Sequence, residues 1–216
     1  MSRATRERLD RDAVVTRAIA LADAEGLDAV TIRRLAADLG VTAMALYWHF
    51  KNKDELLDGV VEHLLRTVAV PVTESTDWAE QLRAGVTAVV EALRPHTALA
   101  PLVHPRILAC EAGVALVEHT LGLLAAAGFT AEQAAEISGY LLTAAVALIA
   151  AEPGAGPGAD AEVTRTKRVR LLSLEPARYP HVVAAADPLT VCANGDAYYA
   201  RGIDLLIAGV RGLRAP

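Results

Sequence analysis

Two short helical segments separated by a glycine turn constrain the fold of this chain more than any other feature. Thr31 can cap the first segment and Gly40 can end it. The apolar residues on one face of that segment are Ile32, Leu35, Ala36 and Leu39. Thr42 can cap a second, equally short segment that runs to Phe50. This length and spacing predict a helix-turn-helix, whose second helix lies in the major groove of DNA.

A longer amphipathic helix is predicted on each side of this pair. Asp12 is expected to cap the first of them, which ends at Gly26, and its apolar face carries Val15, Ala18, Ile19 and Ala22. Asn52 and Glu55 resemble a capping box that opens the helix after the pair. The apolar stripe of that helix is wide enough to pack on two sides. We therefore expect a DNA-binding domain over residues 1–70, a larger domain over residues 71–216, and this helix as the connector.

The composition of the larger domain favours helices over a sheet. Hydrophobic residues make up 53% of the chain and aromatic residues only 4%. The expected longer helices cover residues 78–94, 106–127, 130–151 and 197–213, and residues 153–159 form a loop rich in glycine and proline. The predicted fold class is all-α, with a three-helix helix-turn-helix head and a larger helical body.

We expect a cytoplasmic protein with no membrane segment. The longest apolar stretch, residues 137–151, is shorter than the roughly 20 residues that a spanning helix needs. The N-terminus is charged and has no apolar run typical of a secretory signal. Cys110 and Cys192 are too few for a disulfide framework, so both are expected to be reduced.

Charge is unevenly distributed along a chain whose formal net charge is −5. Arg3, Arg6 and Arg8 can form either a minor-groove arm or a solvated tail. A second basic cluster is expected to be the exposed face of a helix, and it consists of Arg165, Lys167, Arg168 and Arg170. Local basic patches can contact a phosphate backbone even when the net charge is negative.

The segment 46–57, with the sequence LYWHFKNKDELL, resembles almost letter for letter the end of the recognition helix and the start of the next helix in the tetracycline-repressor (TetR) family. The likeness covers residues 9–66 closely, whereas the rest of the chain is similar only in helix order and scattered residues. The resemblance implies a repressor that binds a palindromic operator as a homodimer and is released by a small, largely apolar molecule.

The chemistry of the head divides its residues into a core and a DNA-facing surface. Val41, Leu46 and Phe50 are expected in the core. The residues expected towards the groove or its walls are Thr42, Ala43, Met44, Ala45, Tyr47, Trp48 and His49. Tyr47, His49 and Lys53 can contact phosphates, and Ala43, Met44 and Ala45 can contact thymine methyl groups. Arg33 is the candidate for a bidentate guanine contact.

The resemblance also implies an inducer cavity in the body. Its expected residues are Gly85, Val89, His104, Leu108 and Tyr140. His104 is either a polar group in an apolar pocket or a structural histidine. Members that bind tetracycline hold it as a magnesium chelate, but of four such positions only His104 matches, and Gly85, Val89 and Ala69 do not. We therefore expect no metal, no cofactor and an inducer of unknown identity.

Two helices of the body are expected to form the dimer interface. The residues assigned to it are Ile137, Leu141, Ala144, Leu148, Tyr199, Ile203, Leu206 and Val210. The alternative is that both apolar stripes are buried inside one chain.

Other classes of function fit the sequence less well. There is no nucleophile motif, glycine-rich phosphate loop or H-E-x-x-H motif, so an enzyme is not expected. A helical ligand-binding module without DNA affinity is the main alternative. Within the DNA-binding class, activation remains an alternative to repression, because the sign depends on where the operator lies.

Overall fold

The computed structural model describes residues 10–71, 75–152 and 161–213, and in these ranges the chain forms helices joined by turns and contains no strand. The head helices are α1 (Arg11–Glu25), α2 (Ile32–Asp38), α3 (Ala43–Tyr47) and α4 (Lys53–Arg66). The body helices are α5 (Trp78–Leu93), α6 (Val103–Arg106), α7 (Glu111–Ala126), α8 (Ala131–Ala150), α9 (Ala161–Leu172), α10 (Pro180–Ala184) and α11 (Gly195–Gly212). The all-α prediction is confirmed.

Side-chain caps fix where the two short head helices begin. Thr31 Oγ1 accepts a hydrogen bond from the Arg34 N–H at 3.2 Å, and Thr42 Oγ1 accepts one from the Ala45 N–H at 3.3 Å. Gly40 between them has φ +66°, a backbone conformation in which a Cβ atom would be strained. The predicted pair of capped helices and its glycine turn are confirmed.

The flanking helices differ from the predictions in detail. Asp10, not Asp12, caps α1 by accepting a hydrogen bond from the Ala13 N–H at 2.7 Å. Asp12 lies inside the first turn, where its charge favours the positive end of the helix. Asn52 caps α4 as predicted, by accepting a hydrogen bond from the Glu55 N–H. The Glu55 carboxylate, however, accepts its hydrogen bond from the N–H of Lys51 and not from that of the cap residue Asn52.

The head has a tightly packed core that orients α2 and α3. Leu46 and Phe50 are fully buried, as predicted, whereas Val41 is half-buried against the same core. A charged network on the outside holds α2 against α1. Arg34 donates to Glu25 at 2.7 Å and to Asp38 at 3.1 Å, and Arg17 donates to Asp38 at 2.5 Å.

In the body, α5 packs against α7, α8 and α11. Thr130 and Gln133 form the predicted capping box at the start of α8. The single long helix predicted over residues 106–127 is wrong. Cys110 is extended, and the chain bends by 86° between residues 100–109 and α7. A Cβ atom at Gly113 would collide with the Ile107 carbonyl, so a glycine there permits the close approach of the two segments.

The two stripes assigned to the dimer interface are largely used inside the chain. Five of the eight residues are buried within it: Ile137, Leu141, Tyr199, Ile203 and Val210. They face α5 and neighbouring helices, because those sides of α8 and α11 complete the core of the body. Ala144, Leu148 and Leu206 are only half-buried. Burial within one chain therefore corrects the assignment of these five residues, whereas the assignment of Ala144, Leu148 and Leu206 stays a prediction.

By length and composition α8 could cross a membrane, since it has 20 residues and contains an 18-residue stretch with a mean hydropathy of 1.4. The apolar stretch predicted from the sequence, residues 137–151, is shorter than this helix, because α8 begins at Ala131, before the uncharged segment. Residues 100–109 and α7 pass the same test only as a strongly bent pair. Core helices of globular proteins have the same composition, and α8 packs against α5, α6, α7 and α11, so length and composition do not indicate a span here.

Helix α4 connects the head to the body. It packs against α1 on one side and against α5, α6 and α7 on the other. A second link joins His96 to Asp23 of α1, with Nδ1 and Oδ2 2.8 Å apart. The expected domain division stays a prediction, and its boundary falls partly on residues 72–74, which lie outside the described ranges.

Candidate functional site

The outer face of α3 presents large side chains to solvent. Trp48 is 86% exposed, Met44 68% and Tyr47 48%, even though the neighbouring Leu46 and Phe50 are fully buried. Exposed aromatic side chains on so short a helix do not contribute to the core. They are instead available for contact with another molecule, in the position expected for a recognition helix.

The polar groups around this face differ in how free they are. Arg33 is exposed and has no ion pair among the described residues, whereas its neighbour Arg34 is held by Glu25 and Asp38. Lys53 lies in the first turn of α4, where unpaired backbone N–H groups also favour an anion. Arg33 and Lys53 are thus available for contact with another molecule, whereas the guanidinium of Arg34 is engaged within the head.

The remaining residues expected to contact DNA lie on or beside the same face. Thr42 is exposed, although its hydroxyl caps α3, and His49, Ala43 and Ala45 are half-buried. Ala43 also packs against the head core, so only part of its methyl group is accessible. The structure therefore brings the predicted DNA-binding residues together on one surface.

Two basic segments noted in the sequence lie elsewhere. The candidate arm of Arg3, Arg6 and Arg8 falls outside the described residues. The second cluster lies on α9, which has no buried residue, so it is an exposed helix face as predicted. Arg168 in that cluster pairs with Asp187 at 2.5 Å.

The body encloses a cavity of about 520 Å³ between α5, α6, α7 and α8, with the end of α4 at its border. Its aliphatic walls come from residues such as Leu82, Val86, Leu116, Leu141 and Leu142. The polar residues that line it are His104, His119, Thr120 and Ser138. A concave, mostly apolar space of this size with a few polar groups is typical of a small-molecule site.

Four of the five residues expected to bind the ligand line this cavity: Gly85, Val89, His104 and Leu108. The fifth, Tyr140, does not, and it is 72% exposed. It follows the lining residue Gly139 by one position, and this turns its side chain about 100° round the helix. The prediction for Tyr140 is corrected accordingly.

Sequence reasoning missed His119, Thr120 and Ser138. His119 and Thr120 lie on α7 and Ser138 on α8. Their only sequence signal is a polar residue within an apolar run, which does not distinguish a cavity wall from the protein surface. Within the described ranges, no three His, Cys, Asp or Glu residues are placed to hold a metal ion together.

Arg106 joins the wall of the cavity to α4. Its neighbours His104, Pro105, Ile107 and Leu108 all line the cavity. Its own guanidinium reaches α4, where Nη2 donates to Asp54 at 3.0 Å and Nε lies 3.1 Å from Asp58 Oδ1. The Nε contact lacks hydrogen-bond alignment, and this buried atom has no other partner among the described residues.

A second contact joins α4 to the start of α7. Glu62 accepts a hydrogen bond from the Ala112 N–H at 3.2 Å and pairs with Arg66 at 2.7 Å. Burial alone would raise the pKa of Glu62, but the Ala112 N–H, the Cys110 thiol and Arg66 together hold that pKa below its usual value. Burial raises the pKa of the Cys110 thiol. Helix α4 is therefore held by polar contacts on the two segments that border the cavity.

Helices α8 and α11 leave small and apolar residues exposed on the outside of the body. We call this set the α8–α11 face, and it consists of Tyr140, Thr143, Ala147, Leu205, Ala208 and Gly209. Leu205 is 70% exposed. The two helices pack against each other, with Leu148 of α8 close to Gly202 of α11.

Comparison with known families matches nearly the whole chain. Residues 14–60 match the family described as "Bacterial regulatory proteins, tetR family". Residues 70–214 match the family described as "Tetracyclin repressor-like, C-terminal domain". The first match covers the helix-turn-helix and most of α4, and the second covers the body with its cavity.

Curated and solved relatives agree with these matches. An HTH-type transcriptional regulator of Saccharopolyspora erythraea is 29% identical over 95% of this chain and 86% of that protein. The class C tetracycline repressor protein of Escherichia coli is 30% identical over 96% of this chain and 93% of its own length. The structure of Streptomyces coelicolor ActR in complex with actinorhodin is 32% identical, has a TM-score of 0.80, and is matched over 96% of this chain and 99% of that one.

Proposed function

Because this chain belongs to the TetR family of bacterial transcriptional regulators, we propose that it is a ligand-responsive repressor whose helix-turn-helix binds a palindromic operator in double-stranded DNA. The observation that carries the proposal is the connection of an exposed recognition surface on α3, through α4, to an apolar cavity in the body. DNA as the partner places the protein in the cytoplasm.

The recognition surface supports two kinds of DNA contact. Tyr47, His49 and Lys53 position the head by donating to phosphate oxygens. Arg33, free of ion pairs among the described residues, reads a guanine in the major groove. The small side chains of Ala43 and Ala45, together with Met44, contact thymine methyl groups.

A homodimer is required for specific binding, since one short recognition helix contacts only a few base pairs. The α8–α11 face is the proposed interface, and its small residues allow close approach of helices from a partner subunit. Only 28% of the apolar α8 segment is buried within one chain, which is consistent with a second layer of helices over it. The half-buried residues Ala144, Leu148 and Leu206 border this face.

Release by a ligand follows from the position of α4. Leu65 of α4 lines the cavity, and Arg106 ties the cavity wall to Asp54 and Asp58 in the first half of the same helix. A molecule that displaces α6 therefore moves α4 and the head attached to it. Two heads that no longer match the half-site spacing lose the operator. The ActR complex with actinorhodin supports a small organic molecule as the ligand.

The function is tested first by selecting the DNA bound by the purified protein and measuring its affinity as a function of salt. Tyr47→Ala and Lys53→Ala are expected to weaken binding to all sequences about equally, and Lys53→Ala to reduce the salt slope by about one. Arg33→Ala is expected to cost about 1–3 kcal/mol at one base step and relax preference there. Arg34→Ala, which removes a paired arginine, should leave base preference unchanged. Absence of salt-dependent binding would favour a ligand-binding module without DNA affinity.

Arg106→Ala is expected to uncouple the cavity from the head. A compound selected for operator release should bind the variant with nearly unchanged affinity, but its effect on operator affinity should fall to less than about threefold, compared with the 5- to 150-fold typical of allosteric coupling. Calorimetry measures the first quantity and gel shifts the second. Arg168→Ala, which breaks an ion pair away from the cavity, should keep full release. If the compound released Arg106→Ala and Arg168→Ala from the operator equally well, the coupling between cavity and head would not depend on Arg106.

A further inference from the structure

The lining of the cavity carries no permanently charged side chain. Among the described residues that line it, none is Asp, Glu, Lys or Arg, and none is Phe, Tyr or Trp. The two histidines in the lining, His104 and His119, are both exposed to solvent, and from this exposure we infer that their imidazoles lie where the cavity opens to solvent, at its mouth. An ionised group in the interior would lose its hydration with no opposite charge to compensate, and a quaternary cation would find no aromatic face.

Two glycines in helix interiors create part of the open space. Gly85 of α5 and Gly139 of α8 both line the cavity, and a Cβ atom built on either meets no atom within 4 Å. Both have negative φ, so neither is required by the backbone conformation. Glycine inside a helix is less favourable than alanine. At these two positions, the absence of a side chain leaves space in the cavity that a larger residue would occupy.

We propose that the cavity selects an uncharged organic molecule whose apolar body fills the space left by Gly85 and Gly139 and whose hydrogen-bonding group lies at the mouth beside His104 and His119. The inference rests on the proposed function, because it concerns the ligand of the same site. Gly85 and Gly139 determine the size of ligand accepted, since any side chain there projects into the ligand volume.

A pair of fluorescent probes tests the charge requirement on the full chain. N-phenyl-1-naphthylamine is neutral, and 8-anilino-1-naphthalenesulfonate has the same ring skeleton with one added sulfonate. The neutral probe is expected to bind at least about tenfold more tightly. Equal or tighter binding of the sulfonate, or no binding of the neutral probe, would overturn the proposal.

Glycine substitutions test where the neutral probe binds. Gly139→Leu and Gly85→Leu are expected to lower its affinity at least about tenfold. The matched control is Gly122→Leu, because Gly122 is also a helical glycine with open space around it but lies outside the cavity lining. Leucine is the better helix former, so all three variants should fold, which circular dichroism checks. Undiminished probe binding by Gly139→Leu and Gly85→Leu, or an equal loss in Gly122→Leu, would contradict the assignment.

Operator binding separates this inference from the proposed function. Without a ligand, Gly139→Leu should bind the selected DNA as the unmodified chain does. A chain that binds the neutral probe but no DNA would overturn the proposed function and leave this inference standing. A chain that binds DNA but prefers the sulfonate would overturn this inference and leave the proposed function standing.

Discussion

Replacing Leu205 with glutamate is expected to convert the protein to a monomer and to lower its affinity for a two-half-site operator by about 100-fold or more. Leu205 is the large, exposed apolar residue at the centre of α11 within the α8–α11 face. In the proposed dimer its replacement would bury an unpaired carboxylate between two subunits. Loss of the dimer removes the second head, and with it the high effective concentration that tethering provides.

Sedimentation measures the subunit state, and gel shifts on one and two half-sites measure the affinity. Val163→Glu is the control, since Val163 on α9 is an equally apolar and exposed residue outside the face. Because Leu205 points away from the core, the monomer should keep its helical content. A Leu205→Glu protein that remains a dimer with unchanged operator affinity would move the interface away from α8 and α11.

Truncation of two nearby aromatic residues of the head is expected to have different effects, on folding stability for Phe50 and on DNA binding for Trp48. Phe50→Ala should destabilise the head by about 3–5 kcal/mol, because Phe50 is fully buried and the truncation leaves a cavity among α1, α3 and α4. Since native domains are stable by only about 5–15 kcal/mol, this loss removes a large part of the stability of the head, so operator binding should fall strongly at growth temperature. Thermal melting followed by circular dichroism measures the effect.

Trp48→Ala provides the matched comparison. Trp48 is 86% exposed, so its truncation should change the melting temperature little while weakening DNA binding. Equal melting temperatures for the two variants would mean that Phe50 is not part of the head core.

The head could be predicted from sequence because its signals are local. The threonine caps, Gly40 and the alternation of buried and exposed residues around Leu46 and Phe50 all act within a few positions. The predicted cap of α1, Asp12, lies two residues after the observed cap, Asp10. Both are aspartates, so residue type alone does not distinguish between them.

The body was harder to predict because its decisive contacts are distant in the chain. Arg106 and Asp54 are 52 residues apart, and nothing in the pattern of either helix indicates that they meet. The bend before α7 depends on Gly113 facing the Ile107 carbonyl, a contact that periodicity does not reveal. The apolar stripes of α8 and α11 were correctly recognised, but a stripe does not specify whether it faces its own chain or another copy.

The two adjacent arginines of α2 have a consequence for how such a protein can change over generations. Arg34 is tied into the scaffold through Glu25 and Asp38, whereas Arg33 makes no ion pair within the described residues, and Met44 on the same outer surface is equally unconstrained. Substitution of exposed residues of this kind usually alters folding stability by less than about 0.5 kcal/mol. A duplicated copy of the chain can therefore drift towards a new DNA sequence one residue at a time, while its core and its cavity stay intact.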